Sequence, residues 1–136
     1  MRSMRNRSLL ADERGSSPVE FVLVGALLTA LTLAVLQIAL AIYVRNVVHD
    51  AAVEGAHYAA LADTSLTEGA ARTAAVITRA VGADYADDVA VGEDDSLGHP
   101  TVLVRVRTTL PVLGLLGVPF GLEVEARAPV ESFEAG

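Results

Sequence analysis

The chain has no cysteine, no lysine and no tryptophan, and aromatic residues make up only 4 % of it. Without cysteine, neither disulfides nor thiolate metal sites can form. All ten basic residues are Arg, which points to a GC-rich genome and says little about mechanism. Basic charge is also scarce beyond the N-terminus. Residues 1–15 hold four Arg against Asp12 and Glu13, a net +2; the remaining 121 residues hold six Arg against fifteen acids, a net −9. An acidic surface argues against nucleic acid as a partner, since such binding needs a basic face. No Ser/His/Asp nucleophile signature and no phosphate loop is present. His49, His57 and His99 lack metal-ligand spacing. The expectation is a non-enzymatic protein with no catalytic, cofactor-binding or metal residues, no cofactor and no small-molecule substrate.

What the chain does have is one long apolar run. From Phe21 to Val44, 24 residues carry no charge. A helix needs roughly 20 apolar residues to cross a bilayer core of about 30 Å. Backbone groups in lipid must be satisfied within the segment, so the run reads as a helix. Basic residues beside a spanning helix tend to stay in the cytoplasm. The leader is therefore expected inside and the acidic C-terminal part outside. A secretory signal peptide cut after Ala41, at Ala39-Leu40-Ala41, is a rival reading, but its apolar region is normally about 7–15 residues. Gly25, Thr29 and neighbouring small residues offer a strip for close helix packing. Equally, small residues are common in the membrane helices of Ala-rich proteins.

The segment Gly15-Ser16-Ser17-Pro18-Val19-Glu20-Phe21 opens the run and has two readings. In the first it is a helix start: Ser17 caps, Pro18 takes the first helical position and Glu20 completes a capping box. The second reading starts from the cost of a carboxylate next to lipid, which usually has a partner. Here the segment resembles the processing site of type IV pilin-like precursors, with a glycine ending a basic leader and a glutamate five residues beyond. The resemblance implies a cut by a prepilin peptidase after Gly15 and a new N-terminus at Ser16. It also implies an assembly role for Glu20, paired with the freed amine of a neighbouring subunit. Glu20-Phe21 is similar to the Glu-aromatic pair of the Flp and tight-adherence (Tad) branch.

Residues 45–62 continue the helical pattern. Asn46, Asp50, Glu54 and His57 share one face, and Val47, Val48, Ala51, Ala52, Gly55, Ala56, Ala59 and Ala60 line the other. Pro18 to Ala62 would then be one helix of about 68 Å. Gly55 costs about 1 kcal/mol in mid-helix, which predicts a close crossing there, with Ala59 on the same strip. The segment Val44–Ala60 resembles the TadE-like family of Tad pilus assembly proteins, with Glu54, Gly55, Ala56, Tyr58 and Ala59 at the positions of its Glu-Gly-Ala-x-Tyr-Ala core. The resemblance implies a membrane-anchored minor pilin or pseudopilin of the inner membrane. Its partners would be the prepilin peptidase, other pilin-like subunits and the Tad inner-membrane platform. An unprocessed single-pass anchor that binds an extracytoplasmic partner is the alternative.

Further along, the capping box Ser65-x-x-Glu68 and the stripe Leu66, Ala70, Ala74, Ile77 and Val81 predict a second helix over 65–81, stopped by Gly82. Residues 83–100 form an acidic, turn-rich stretch around a short strand, Val89–Val91. Its carboxylates invite calcium, but their spacing is not that of an EF-hand, and charge runs are usually solvated. Residues 101–109 and 122–128 alternate and predict an antiparallel pair, with Arg105 and Arg107 facing Glu123 and Glu125. The connection from Leu110 to Gly121 is unusually apolar. Leu110, Leu113, Leu115, Leu116 and Phe120 are its candidate contacts, with the membrane, a partner or its own domain. A similar excursion occurs in TadE-like proteins. The expected fold is thus α+β: a leader over 1–15, a membrane helix over 16–44, and a small pilin-like domain over 45–136 with a second helix and an antiparallel sheet.

Overall fold

The computed structural model describes residues 13–111 and 117–131. A helix, α1, covers Glu13–Ala60, and a second, α2, covers Leu66–Ala80. A short 3-10 turn at Ala83–Tyr85 leads into three strands: β1 (Asp88–Asp94), β2 (Thr101–Pro111) and β3 (Gly117–Pro129). They form one antiparallel sheet in the order β1-β2-β3. The α+β architecture expected from the sequence is the one observed. Two compact units divide between Leu36 and Gln37.

Three expectations need correction. The helix does not start at a Ser17 cap: α1 is already helical from Glu13, and Pro18 lies inside it. The residues ahead of Ser17 extend the helix, and the proline forfeits only one backbone bond near the helix start. The strand expected at Val89–Val91 is longer, because every residue from Asp88 to Asp94 finds a partner on β2. The sheet therefore has three strands rather than a pair. The connection from Leu110 to Gly121 is also shorter than its composition suggests. Leu110 pairs with Val118 and Pro111 with Gly117, so both strands run into it. Leu113, Leu115 and Leu116 lie outside the described residues.

The second helix matches its sequence signals. The Ser65 hydroxyl accepts from the Glu68 N–H, and the Glu68 carboxylate accepts from the Ser65 N–H at 2.7 Å. Both bonds favour the ionised carboxylate and hold the Glu68 pKa below the ordinary range. At the other end Gly82, at φ 114°, donates to Thr78 O and ends the helix.

The core lies in the unit from Gln37 onward. Val44, Val48, Ala51, Ala52, Ala56, Ala59 and Ala60 of α1 and Ile77 of α2 are buried with Val102, Val104 and Val106 of β2. Leu122, Val124, Ala126 and Ala128 of β3 complete it. These are the faces that the helical and alternating patterns predict. Asn46, Asp50, Glu54 and His57 all stay exposed. Small residues dominate the α1 face, so neighbouring backbones can come close to it. Full burial of a side chain such as Ile77 stabilises by about 1.5–3 kcal/mol.

Candidate functional site

The exposed half of α1 is the first functional feature. Phe21 is 81 % exposed, and Val22, Leu23, Leu27, Leu28 and Leu31 are each more than half exposed. Such a surface in water is unfavourable at about 25 cal/mol per Å². The polar groups in this stretch are neutralised internally. Thr29 donates its hydroxyl to Gly25 O at 2.9 Å, and Thr32 donates to Leu28 O at 2.8 Å. Hydroxyls bonded to their own helix present only their methyls, which suits lipid. The helix is long and apolar enough to cross a membrane.

The processing residues sit at the start of this helix. Gly15, Ser16, Glu20 and Phe21 are all exposed. A Cβ built on Gly15 or on Gly25 meets nothing within 4 Å. Among the described residues, therefore, no contact requires glycine at either position. Each costs about 1 kcal/mol relative to Ala in a helix.

Gly55 is different. A Cβ there would strike the Thr73 side chain and come within 3.0 Å of Gly69 O. A Cβ on Gly69 would strike Ala59 and come within 3.0 Å of Gly55 O. α1 and α2 therefore come close together at Gly55 and Gly69. Ala59 lies against Gly69 at the same point. The contribution of Gly69 and Thr73 does not show in the apolar stripe of α2. Thr73 is buried because its hydroxyl donates to Gly69 O at 2.9 Å. A G-x-x-x-T spacing is the signal that would have found them. Beside the crossing, Arg72 Nε donates to Glu54 Oε1 at 2.7 Å and ties the two helices at their exposed edge.

The outer face of the sheet carries the predicted charge ladder. Arg105 stands opposite Glu125 and Arg107 opposite Glu123. Arg105 Nε donates to Glu125 Oε1 at 2.7 Å, and Arg107 Nε lies 3.4 Å from Glu123. The bond to Glu125 pushes the Arg105 pKa up. Arg127 extends the ladder to Asp94 at 3.4 Å. Asp94 is held below the ordinary carboxylate range, chiefly by the Ser96 N–H and hydroxyl, with Arg127 adding to it. Among the described residues no three of His, Asp and Glu converge on a metal-sized site. A shallow cavity of about 250 Å³ is lined by His99, Pro100, Pro129 and Val130.

An apolar, exposed helical stretch and a small α+β unit from Gln37 onward, with one candidate span among the described residues, fit a single-pass membrane protein. Residues 15–57 match the family model described as TadE-like protein. That segment runs from the proposed cut site through the apolar run to His57. It includes Glu54, Gly55 and Ala56 of the family's core and stops short of Tyr58 and Ala59. This segment is similar to TadE-like proteins over about a third of the chain, as its motifs suggest. No curated protein matches the chain, and no solved structure does.

Proposed function

We propose that this chain is a TadE-like minor pilin or pseudopilin, a membrane-anchored structural component for assembling a Tad pilus, and not an enzyme. It is processed by a prepilin peptidase after Gly15 and sits in the inner membrane with its domain outside. The observation that carries this reading is the family match, which begins at Gly15 itself and covers the whole apolar run. Two physical points support it. Among the described residues nothing crowds Gly15, so packing does not account for a glycine there, and recognition by a peptidase would. Glu20 is exposed at the mouth of an apolar surface, where a charge is costly unless a partner neutralises it. The amine freed at Ser16 of a neighbouring pilin-like subunit is that partner.

A second reading is favoured by one observation. α1 passes through Gly15 and Ser16 without a break, and a continuous helix presents its peptide bonds poorly to a protease. On that reading the chain is an unprocessed single-pass anchor. Determining the N-terminal residue of protein purified from its native membrane separates the two. A start at Ser16, lost in Gly15→Phe, supports processing. Retention of Met1 in the wild type makes the chain a plain anchor.

A further inference from the structure

The two edges of the sheet differ. β3 contains Pro119 and ends at Pro129, neither of which has an N–H to offer, and its pairing with β2 shifts register between Thr108 and Leu110. β1 has no proline, and it pairs with β2 in one unbroken register from Asp88–Arg107 to Asp94–Thr101. That ladder uses one side of β1. Among the described residues no other hydrogen bond reaches the backbone of Asp88–Asp94. In an antiparallel edge strand alternate residues turn their N–H and C=O outward, so β1 offers a row of such groups to a further strand.

The side chains of β1 set what that strand must carry. Val89 and Val91 stand opposite Val106 and Val104, on the face that packs on the core. Asp88, Ala90, Gly92 and Asp94 alternate with them on the outer face. Ala90 is exposed, and a Cβ built on Gly92 meets nothing within 4 Å, so there is room here beside Arg105 and Leu103. The rim is acidic. Six carboxylates occur from Asp84 to Asp95, with no Arg between Arg79 and Arg105 in a chain that lacks Lys. Asp88 lies 3.9 Å from Arg107, and Asp94 lies 3.4 Å from Arg127. Asp84, Asp87, Glu93 and Asp95 have no ion pair among the described residues.

These acids select the occupant. A second copy suits the edge poorly. Its β1, laid antiparallel about Val91, would set Asp88 against Asp94 at both ends, and its β3 would bring Glu123 and Glu125 between two prolines. Like charges directly opposed are destabilising, so the rim keeps copies apart. A strand bearing Arg or Lys gains from the same rim. β2 shows the pattern required: Val102, Val104 and Val106 on one face, Arg105 and Arg107 on the other. It is the strand that β1 already accepts on its paired side.

We propose that the open edge of β1 is a docking site for an extended basic strand of a different protein. The added strand becomes the fourth of the sheet, its apolar face continuing Val89 and Val91 and its Arg or Lys side chains meeting the rim acids. Main-chain hydrogen bonds supply affinity, and alternation and charge supply specificity. The site does not depend on how the chain is anchored or processed.

The probe is a peptide with the sequence of residues 101–109, Thr-Val-Leu-Val-Arg-Val-Arg-Thr-Thr, labelled with a fluorophore. It is titrated into the full chain in neutral-detergent micelles at low salt, with protein-free micelles as the blank. Anisotropy should rise to saturation. A peptide of the same composition with its alternation scrambled, and one with both Arg replaced by Glu, should each bind several-fold more weakly. Hydrogen exchange should show protection gained within residues 88–94 and not in β3. Asp87→Arg with Glu93→Arg should weaken binding several-fold with an unchanged circular dichroism spectrum. Equal binding of the scrambled peptide means that charge alone attracts it, which overturns the proposal. Protection gained only outside β1 does the same, as does a lack of saturable binding up to millimolar peptide. If residues 88–94 gain protection as the concentration of the chain alone is raised, a second copy fills the edge and the basic strand is ruled out.

Discussion

Gly55 and Gly69 face each other where α1 and α2 cross, each with its carbonyl oxygen 3.0 Å from where the other's Cβ would be. Neither helix can carry a side chain at this point. Gly55→Ala gains helix propensity of about 1 kcal/mol but drives a methyl into Thr73. Overpacking of this kind costs about 1–3 kcal/mol, so the variant should be less stable than wild type in micelles, with a lower Tm. Gly69→Ala should behave alike through Ala59. Thr73→Ala removes the hydroxyl that Gly55→Ala strikes, so the double variant should recover part of the loss. A Tm that rises in Gly55→Ala alone would refute the crossing.

The cap of α2 makes stability depend on acid. Glu68 and Asp94 both have folded pKa values below their ordinary range, through bonds from Ser65 and from Ser96 and Arg127. A depressed carboxylate pKa gives stability that is complete above the ordinary value, about 4, and is lost as pH falls through the folded value. Stability should therefore be flat from pH 7 to 5 and decline below about 4. Chemical denaturation across this range should show a shallower decline in Glu68→Gln, whose cap no longer titrates. Ser65→Ala should cost about 1 kcal/mol at neutral pH.

The elements whose periodicity is set by burial were legible in advance. The polar face Asn46, Asp50, Glu54 and His57, the alternation of Val102, Val104 and Val106, and the Arg–Glu ladder all follow from which face meets water. The features that were missed are those where no burial contrast shows in the letters. β1 is a half-buried edge strand with only Val89 and Val91 to mark it, and its length comes from pairing with β2. The α2 crossing is made of Gly69 and Thr73, neither of which counts as apolar. The hairpin tip looked like a loop because its prolines and glycines suggest turns, yet Pro111 and Gly117 pair. For the candidate site, the smooth face around Gly55 is visible in the letters, while the residues that cross it, Gly69 and Thr73, appear only in the fold.

The charge ladder on the sheet should be modest in energy and specific in sign. Arg105 and Glu125 are directly opposed and roughly half and one-third exposed, so their pairing is screened by solvent. Glu125→Arg sets Arg105 opposite a like charge and also confronts Arg127, which lies 3.6 Å from Glu125. The loss should be small, read as a modest drop in the denaturant midpoint. Exchanging the pair, Arg105→Glu with Glu125→Arg, should return part of it. High salt should shrink the difference between the variants, and denaturant midpoints with and without salt measure this.

Pro18 gives a reading of processing that does not depend on sequencing. In the uncut chain it lies inside α1, where its missing N–H leaves Arg14 O without its helical partner and its ring presses on that carbonyl. Arg14 is on the leader side of the Gly15–Ser16 bond. Cleavage there removes the carbonyl with the leader and leaves Pro18 third in the mature chain, where its N–H would have had no partner anyway. The same proline therefore strains the precursor and suits the product. Pro18→Ala should raise protection of the first turns of α1 in Gly15→Phe protein, which stays uncut, by up to about 3 kcal/mol. In protein that starts at Ser16 the change should be below about 1 kcal/mol. Hydrogen exchange of residues 19–24 in micelles compares the two. Equal gains in both chains would show that the cut does not relieve the proline, and Pro18 would then have no part in processing.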